Sequence, residues 1–154
     1  MPTKGDRLPA RDHVLRYIRK KDVDKASNAI NGSGFLARPA EDAPSNNWIE
    51  CFPGSLTNQL AEIRSRKRIQ YEKRGKLVRL NVSRTEQHML DEAQILIQFV
   101  HDPVQEDVNY PADPSHALAQ GVPQIGAGPE ADLIGDLFLD CILDIIDVVP
   151  DRPR

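Results

Sequence analysis

The chain has 154 residues, of which 40% are hydrophobic and 28% are charged, and its formal net charge is -3. This composition is typical of one folded domain and excludes a collagen-like fibre, a disulfide-rich scaffold and a disordered tail. We expect no transmembrane helix and no signal peptide, because long apolar runs are absent and the basic N-terminus has no apolar block after it. Cys51 and Cys141 form no local metal motif, and we expect both thiols to be reduced in a soluble cytoplasmic protein.

Proline and glycine divide the chain into a lead-in, a domain and a tail. We expect a flexible lead-in over residues 1–11, a single α+β domain over 12–149 and a tail over 150–154. Residues 103–129 contain five prolines and three glycines. Loops of this length inside a domain are usually functional or mobile, so we expect a site in this loop.

Charge is segregated along the chain. Residues 60–84 hold nine lysines and arginines against two acids, whereas residues 120–154 hold seven acids against two arginines. The favoured interpretation is that the two segments are solvated faces of two helices. Alternatively, the basic segment, residues 64–79, could bind a partner, or the acidic segment could lie against it inside the fold. Its only aromatic residue is Tyr71, which makes nucleic-acid binding the least favoured interpretation.

The first half of the domain is predicted to contain short elements. DHVLRYIRKKDV is expected to form an amphipathic helix, with a strand as the alternative because its apolar residues also favour strands. A brief strand is expected near residue 35. Ser45 is expected to cap a short helix, NNWIECF, and Ser55 to cap a basic helix over about 56–73.

The second half of the domain is predicted to supply the main strands. Residues 76–83 alternate between apolar and polar side chains, as in a half-buried strand. A helix capped by Thr85 follows, and residues 95–101 form a strand that is apolar on both faces and is expected at the centre of its sheet. HALAQGV is predicted to be a short strand or a helical turn. The fold class is α+β, a small and mostly antiparallel sheet with helices packed on it.

The C-terminal segment has the most regular pattern. Aspartates recur every four residues from Asp132 to Asp144, and apolar residues fill most of the remaining circumference of a helix over 130–149. We therefore expect a long, apolar, acidic-striped C-terminal helix. Its broad apolar arc predicts burial or, alternatively, contact with a protein partner or a second copy of the chain. The residues expected to make that contact are Leu137, Phe138, Cys141, Ile142 and Ile145.

Dispersed short blocks supply residue types that active sites use. His13 and His116 are candidates for a catalytic acid and base, and Glu50 for the carboxylate that orients one of them. Arg16 would bind a phosphate and Trp48 would stack on a base, although a tryptophan is more often a core residue. The candidate substrate-binding residues are Arg16, Ser45, Asn47 and Trp48.

Several kinds of site have no support in the sequence. The motifs GxxxxGK[ST], GxGxxG, GxSxG and HExxH are all absent. The histidines lack the spacing of a local zinc motif, and the aspartate row brings at most about two carboxylates to one ion. We therefore expect neither a metal nor a cofactor.

Several of these blocks also occur in a characteristic order. They are H-x-x-R-Y at His13–Tyr17, a G-x-x-F-x-x-R block around 33–38, S-x-N-W-x-E at Ser45–Glu50, LNV at Leu80–Val82 and P-S-H-A at Pro114–Ala117. The arrangement resembles a group of small uncharacterised bacterial proteins, over about residues 12–118. The resemblance implies a bacterial, single-domain protein and carries no assigned activity.

The sequence leaves three functions open, which we rank in order. The first is an accessory or interaction protein that binds a partner or itself through the C-terminal helix and the basic segment. The second is an enzyme that acts on a nucleotide or another phosphorylated substrate through dispersed His, Arg and Glu residues. The third is a nucleic-acid-binding protein that uses residues 64–79.

Overall fold

The computed structural model describes residues 2–151 and folds them around a six-stranded antiparallel sheet. The strands are β1 (His13–Ile18), β2 (Ser45–Trp48), β3 (Lys76–Asn81), β4 (Gln98–His101), β5 (His116–Gln120) and β6 (Asp144–Asp147). Their order across the sheet is β4-β5-β2-β1-β3-β6. The α-helices are α1 (Leu56–Arg66), α2 (Val82–Ala93) and α3 (Pro129–Asp140). The α+β prediction is confirmed. Met1 and residues 152–154, at the ends of the predicted lead-in and tail, lie outside the described residues.

The sheet separates two hydrophobic cores. Val14 of β1 and Val78 of β3 belong to a core shared with α2 and α3. Leu15, Leu77 and Ile63 belong to the other core, which α1 covers. Successive side chains of a strand point to opposite faces, so adjacent residues of β1 serve different cores. We call these two sides of the sheet the α2/α3 face and the α1 face.

The segment predicted to be the first helix is the strand β1, as in the alternative interpretation. All six of its residues pair antiparallel with β3. β2 occupies the segment where a helix capped by Ser45 was expected, and a short 3-10 turn follows it at Ile49–Cys51. β-branched and aromatic residues fit a half-buried sheet better than a short isolated helix, and this outweighs the helical spacing. α1 ends at Arg66, well before Lys73.

The strand predicted at the centre of the sheet lies at its edge, so that prediction is wrong. N-terminal residues cover the free edge of β4. The Leu8 amide donates to the Phe99 carbonyl at 2.9 Å, and the His101 amide donates to the Asp6 carbonyl at 2.8 Å. Leu8 itself is buried in the core with α2 and α3. This cover allows an edge strand to be apolar on both faces.

The long C-terminal helix is not present. α3 ends at Asp140, and the chain then turns and forms β6, which pairs with β3. Asp144 accepts a hydrogen bond from Arg79, and Asp147 accepts one from Lys76. The acidic and basic segments therefore meet across one strand pair. The four-residue spacing of aspartates spans two elements, because the chain is helical before Asp140 and extended after it.

The partner-binding face predicted along this segment is mostly buried. Leu137, Phe138 and Cys141 lie in the core, and the Phe138 ring stacks on Phe35 at a centroid distance of 5.0 Å. Only Ile145 is well exposed, at 54%. The first three residues therefore attach α3 to the rest of the fold and present no surface to a partner. Within residues 2–151, no helix has the length and apolar character needed to cross a membrane.

Candidate functional site

A pocket of about 220 Å³ opens on the α1 face of the sheet. Leu15 and Tyr17 of β1 and Leu77 of β3 contribute apolar surface to it. The segment after α1 and the loop between β4 and β5 form further walls. This loop is the first part of the proline- and glycine-rich segment in which the sequence predicts a site.

Strand alternation places three polar side chains together in this pocket. Asn47 of β2 lies opposite His116 of β5 in the antiparallel pair. Ser45 precedes Asn47 by two residues and therefore points to the same face. The intervening Asn46 and the following Trp48 point to the other face and are buried there. All three residues had been singled out from the sequence, Ser45 and Asn47 as substrate-binding and His116 as catalytic.

Ser45, His116 and Asp102 form a hydrogen-bonded chain. The Ser45 Oγ lies 3.1 Å from the His116 Nε2. The His116 Nδ1 lies 2.9 Å from the main-chain oxygen of Asp102 and 3.1 Å from its Oδ2. A carbonyl oxygen can only accept, so Nδ1 carries a proton, and in the tautomer with a single ring proton Nε2 accepts from the Ser45 hydroxyl. A hydroxyl, a base and a group that orients the base thus stand in the order used by serine hydrolases.

A second polar network fixes β5 against β2. Asn47 Nδ2 donates to Asp113 Oδ2 at 3.0 Å and to Ser115 Oγ at 2.9 Å. The Ser115 amide and hydroxyl both donate to Asp113 Oδ1, at 3.0 and 2.6 Å. Asp113 and Ser115 are buried. Because Ser115 directly precedes His116, this network also fixes the position of the His116 ring relative to Ser45.

Two arginines, one at the C-terminal end of α1 and one just after it, hold the loop between β4 and β5 over the pocket. Arg66 donates to the Ala112 carbonyl at 3.0 Å. Arg68 donates to the carbonyls of Gln105 and Pro111 at 2.9 and 3.0 Å. The basic segment therefore has a structural role at this site. Its arginines order a proline-rich loop by donating hydrogen bonds to the main-chain oxygens of that loop.

The remaining wall is aromatic and close to neutral. The rings of Tyr17 and Tyr71 lie 4.9 Å apart. Burial raises the pKa of Tyr71 to about 12 and also raises the pKa of Tyr17, so both hydroxyls are protonated at neutral pH. Lys67 lies over the Tyr71 ring at 4.5 Å and pairs with Asp151. The lysine charge at this wall is thus balanced by a carboxylate.

His13 and Glu50, two residues that the sequence grouped with His116 as catalytic candidates, pair with each other. His13 Nδ1 lies 3.0 Å from Glu50 Oε2, and the His13 amide donates to Glu50 Oε1 at 2.7 Å. This pair ties the start of β1 to the turn after β2. In the part of the chain that the structure describes, no hydrogen bond joins either residue to the chain of Ser45, His116 and Asp102.

Arg16 and Trp48 do not have the ligand-binding positions expected of them. Arg16 lies on the α2/α3 face at 4% exposure and donates to the carbonyls of Gly34 and Ser45. Burial, and after it the charge of Arg38, lowers the pKa of Arg16 to about 10. Trp48 is equally buried, and its indole N–H donates to Asp12 at 2.9 Å. Neither side chain can bind a phosphate or a base in this fold.

Sequence reasoning missed several residues of the site. Asp102 directly follows β4, and Asp113 stands two residues before Ser115 of the P-S-H-A block. The available signal was therefore a carboxylate next to the end of a strand. Tyr17 and Tyr71 gave no such signal. Tyr17 faces the pocket only because β1 is a strand, and Tyr71 reaches it only because α1 ends early.

Comparison with protein-family models, with curated proteins and with solved structures finds no match for this chain. The resemblance to small bacterial proteins therefore stays a prediction. Among residues 2–151, no cluster of three or more His, Cys, Asp or Glu side chains is arranged to hold a metal ion. Functional inference consequently depends on the geometry of the pocket.

Proposed function

We propose that the chain is an enzyme that transfers an acyl group through Ser45, with hydrolysis as the simplest outcome. The observation that carries this proposal is the hydrogen-bonded chain from Ser45 Oγ through the His116 ring to Asp102. Ser45 is exposed on the pocket side, so a substrate can reach its hydroxyl. This is the enzyme alternative from the sequence, with a different set of residues and a different substrate chemistry.

The chemistry of such a site is acyl transfer in two steps. The Ser45 Oγ attacks the carbonyl carbon of a bound ester or amide while His116 Nε2 takes its proton. The bond to the leaving group then breaks, and His116 returns the proton to that group. Water next adds to the acyl carbon and gives a proton to His116, which passes it to Ser45 Oγ as the acid leaves. Asp102 keeps the ring oriented throughout.

Negative charge on the substrate oxygen requires stabilisation by nearby donors. Lys67 and Arg68 line the same pocket. The Lys67 ammonium donates to Asp151 and to the Ile69 carbonyl, which leaves the third of its hydrogens for a substrate. Lys67 is therefore the donor that we assign to the developing oxyanion.

The other two functions have less support. The apolar face expected to bind a partner is largely buried against the core. In the basic segment, Arg64 and Lys67 pair with Asp151, and Lys76 and Arg79 pair with aspartates of β6. The charges that would attract a nucleic acid or an acidic partner are thus largely balanced within the chain.

Turnover of p-nitrophenyl acetate by variants tests this proposal. We expect Ser45→Ala to abolish enzyme-dependent release of p-nitrophenolate, and His116→Ala to lower its rate by about 10²–10⁴-fold. Ser83→Ala, which changes an exposed serine at the start of α2, should leave the rate unchanged. His13→Ala should also remain active, since His13 contacts Glu50 and not Ser45. Equal turnover by wild type and Ser45→Ala would contradict the proposal.

A further inference from the structure

The side-chain oxygen of Asn47 is a hydrogen-bond acceptor that is turned away from the buried network of Asn47, Asp113 and Ser115. Both hydrogens of its Nδ2 are used, one by Asp113 Oδ2 and one by Ser115 Oγ. A reversed amide would place Asn47 Oδ1 against the Asp113 carboxylate, which already accepts two hydrogen bonds from Ser115. The carboxylate therefore fixes which way the amide is turned. Within residues 2–151, no protein donor is hydrogen-bonded to Asn47 Oδ1.

This acceptor lies beside the nucleophile. Asn47 lines the same pocket as Ser45 and His116 and stands between Leu15 and His116 in the sheet. Residues two apart on a strand are separated by about 6–7 Å and point the same way. When the reactive carbonyl carbon of a substrate lies at Ser45 Oγ, a hydrogen-bond donor a few covalent bonds from that carbon is therefore within reach of Asn47 Oδ1.

The rest of the pocket favours a small, uncharged and largely apolar group. Leu15, Ile69, Leu77 and Val104 line it together with the two protonated tyrosines. The nearby lysine is paired with Asp151 and the nearby arginine lies 3.9 Å from Asp107. A volume of about 220 Å³ accommodates a short side chain and not a long acyl chain.

We infer that the pocket selects an acyl group with an N–H donor on the carbon next to the reactive carbonyl and a small apolar side chain. An ester or amide of an N-acylated α-amino acid has this chemistry. Asn47 is then the specificity-determining residue, because its acceptor would be left unpaired by an analogue without the donor. This inference rests on the proposed function of Ser45.

Two matched esters test the inference. The p-nitrophenyl ester of N-acetylalanine carries the donor, and the p-nitrophenyl ester of 2-methyl-4-oxopentanoic acid replaces its N–H by a methylene. We expect wild type to have a kcat/KM about tenfold higher for the first ester, which corresponds to one neutral hydrogen bond. In Asn47→Leu, which keeps the size but removes the acceptor, the ratio should fall to about one.

The outcomes separate the inference from the proposed function. Equal kcat/KM values of wild type for the two esters overturn the inference, whether or not Asn47→Leu folds. A preference that survives in a folded Asn47→Leu variant also overturns it. Labelling of Ser45 by a fluorophosphonate is measured in parallel. Labelling without a preference between the esters removes the inference alone, whereas loss of both labelling and turnover removes the proposed function as well.

Discussion

His116 and Asp151 show how single residues at this site are held by several partners at once. The His116 ring is fixed through Nδ1 by two oxygens of Asp102, so its free nitrogen is directed at Ser45. The Asp151 carboxylate is bound by Lys67, by Arg64 and by the Tyr71 amide. It therefore anchors the wall of the pocket that Lys67 and Tyr71 form.

Asp151 should make stability depend on pH in the acidic range. Burial by itself raises the pKa of Asp151, but the hydrogen bonds from Lys67 and Tyr71 and the nearby positive charges outweigh it and hold the pKa below its usual range. A group whose pKa is lowered by folding stabilises the fold above its unfolded-state pKa, and this contribution disappears as the pH falls through the folded-state value. Asp151→Asn should lower the free energy of unfolding by about 1 kcal/mol at neutral pH.

Urea unfolding at several pH values checks this prediction. The difference between wild type and Asp151→Asn should shrink as the pH falls below about 4, because the wild-type carboxyl then also becomes neutral. Asp42→Asn provides the matched control, since Asp42 is exposed and should show no such pH-dependent difference. If the difference in the free energy of unfolding between wild type and Asp151→Asn is the same at pH 7 and at about pH 3, the role assigned to Asp151 is contradicted.

At the scale of single residues, the sequence indicated which side chains are chemically suited to a site but not which of them lie together in the fold. Ser45, Asn47 and His116 were identified as polar residues suited to a site, and the structure places them in one pocket. Arg16 was grouped with them because its guanidinium group is suited to binding a phosphate. In a strand, Arg16 and Tyr17 point to opposite faces, so only the tyrosine reaches the pocket.

Elements of this fold are joined by close backbone approach as well as by apolar side chains. α3 crosses the 3-10 turn at Gly32–Phe35, where Gly135 meets Gly32. A Cβ added at Gly135 would lie 2.7 Å from the Gly32 carbonyl oxygen, and one added at Gly32 would lie 2.5 Å from the Gly135 carbonyl carbon. Both contacts involve backbone atoms, so neither side chain could turn aside to make room.

Gly135→Ala should therefore destabilise the protein despite the higher helix propensity of alanine. Propensity alone predicts a gain of about 1 kcal/mol, whereas overpacking against backbone costs about 1–3 kcal/mol. We expect a net fall in the midpoint of thermal unfolding. Asp136→Ala, at an exposed position of the same helix, should change it little. An increase in the melting temperature of Gly135→Ala would contradict the close approach of the two glycines.

The N-terminal segment should contribute to stability through Leu8. Leu8 is 4% exposed and packs in the core shared with α2 and α3. We expect Leu8→Ala to lower the free energy of unfolding by about 2–3 kcal/mol, measured by urea denaturation. Val108→Ala is the control, because Val108 is 99% exposed and its change should be within about 0.5 kcal/mol. Equal effects of the two substitutions would mean that the segment does not pack as described.

Local pattern was a good guide to some elements and misleading for others. The alternation of β3 and the aspartate rhythm of α3 both reflect real periodicities in the structure. The same rhythm continues into β6, where it no longer has a helical meaning. There Asp144 and Asp147 pair with Arg79 and Lys76 of β3, which are contacts between residues far apart in sequence that no local pattern contains.

Across the whole molecule, charge that is segregated in the sequence is balanced in the fold. Arg64 and Lys67 meet Asp151, and Lys76 and Arg79 meet Asp147 and Asp144. The sequence left three explanations for the segregation, which were solvated helix faces, a binding surface and contact between the segments inside the fold. The structure favours the last, because β6 pairs with β3. Together these pairs neutralise much of the positive charge of the basic segment.

The protein should consequently bind nucleic acid weakly. We expect no binding of a labelled single-stranded RNA tighter than about 10 μM at physiological salt, measured by fluorescence anisotropy. The triple variant Asp144→Asn, Asp147→Asn, Asp151→Asn frees the basic side chains and should bind more tightly, with a steeper dependence on salt. Submicromolar binding by wild type would contradict the neutralisation described here.

The most direct measurement is the position at which a fluorophosphonate attaches to the intact chain, found by peptide mass analysis. The proposed mechanism predicts one adduct per molecule, on Ser45, and its loss in His116→Ala while the exposed Ser83 stays unmodified. An unlabelled protein, or adducts spread over exposed serines and unaffected by His116→Ala, would show that Ser45 is not an activated nucleophile.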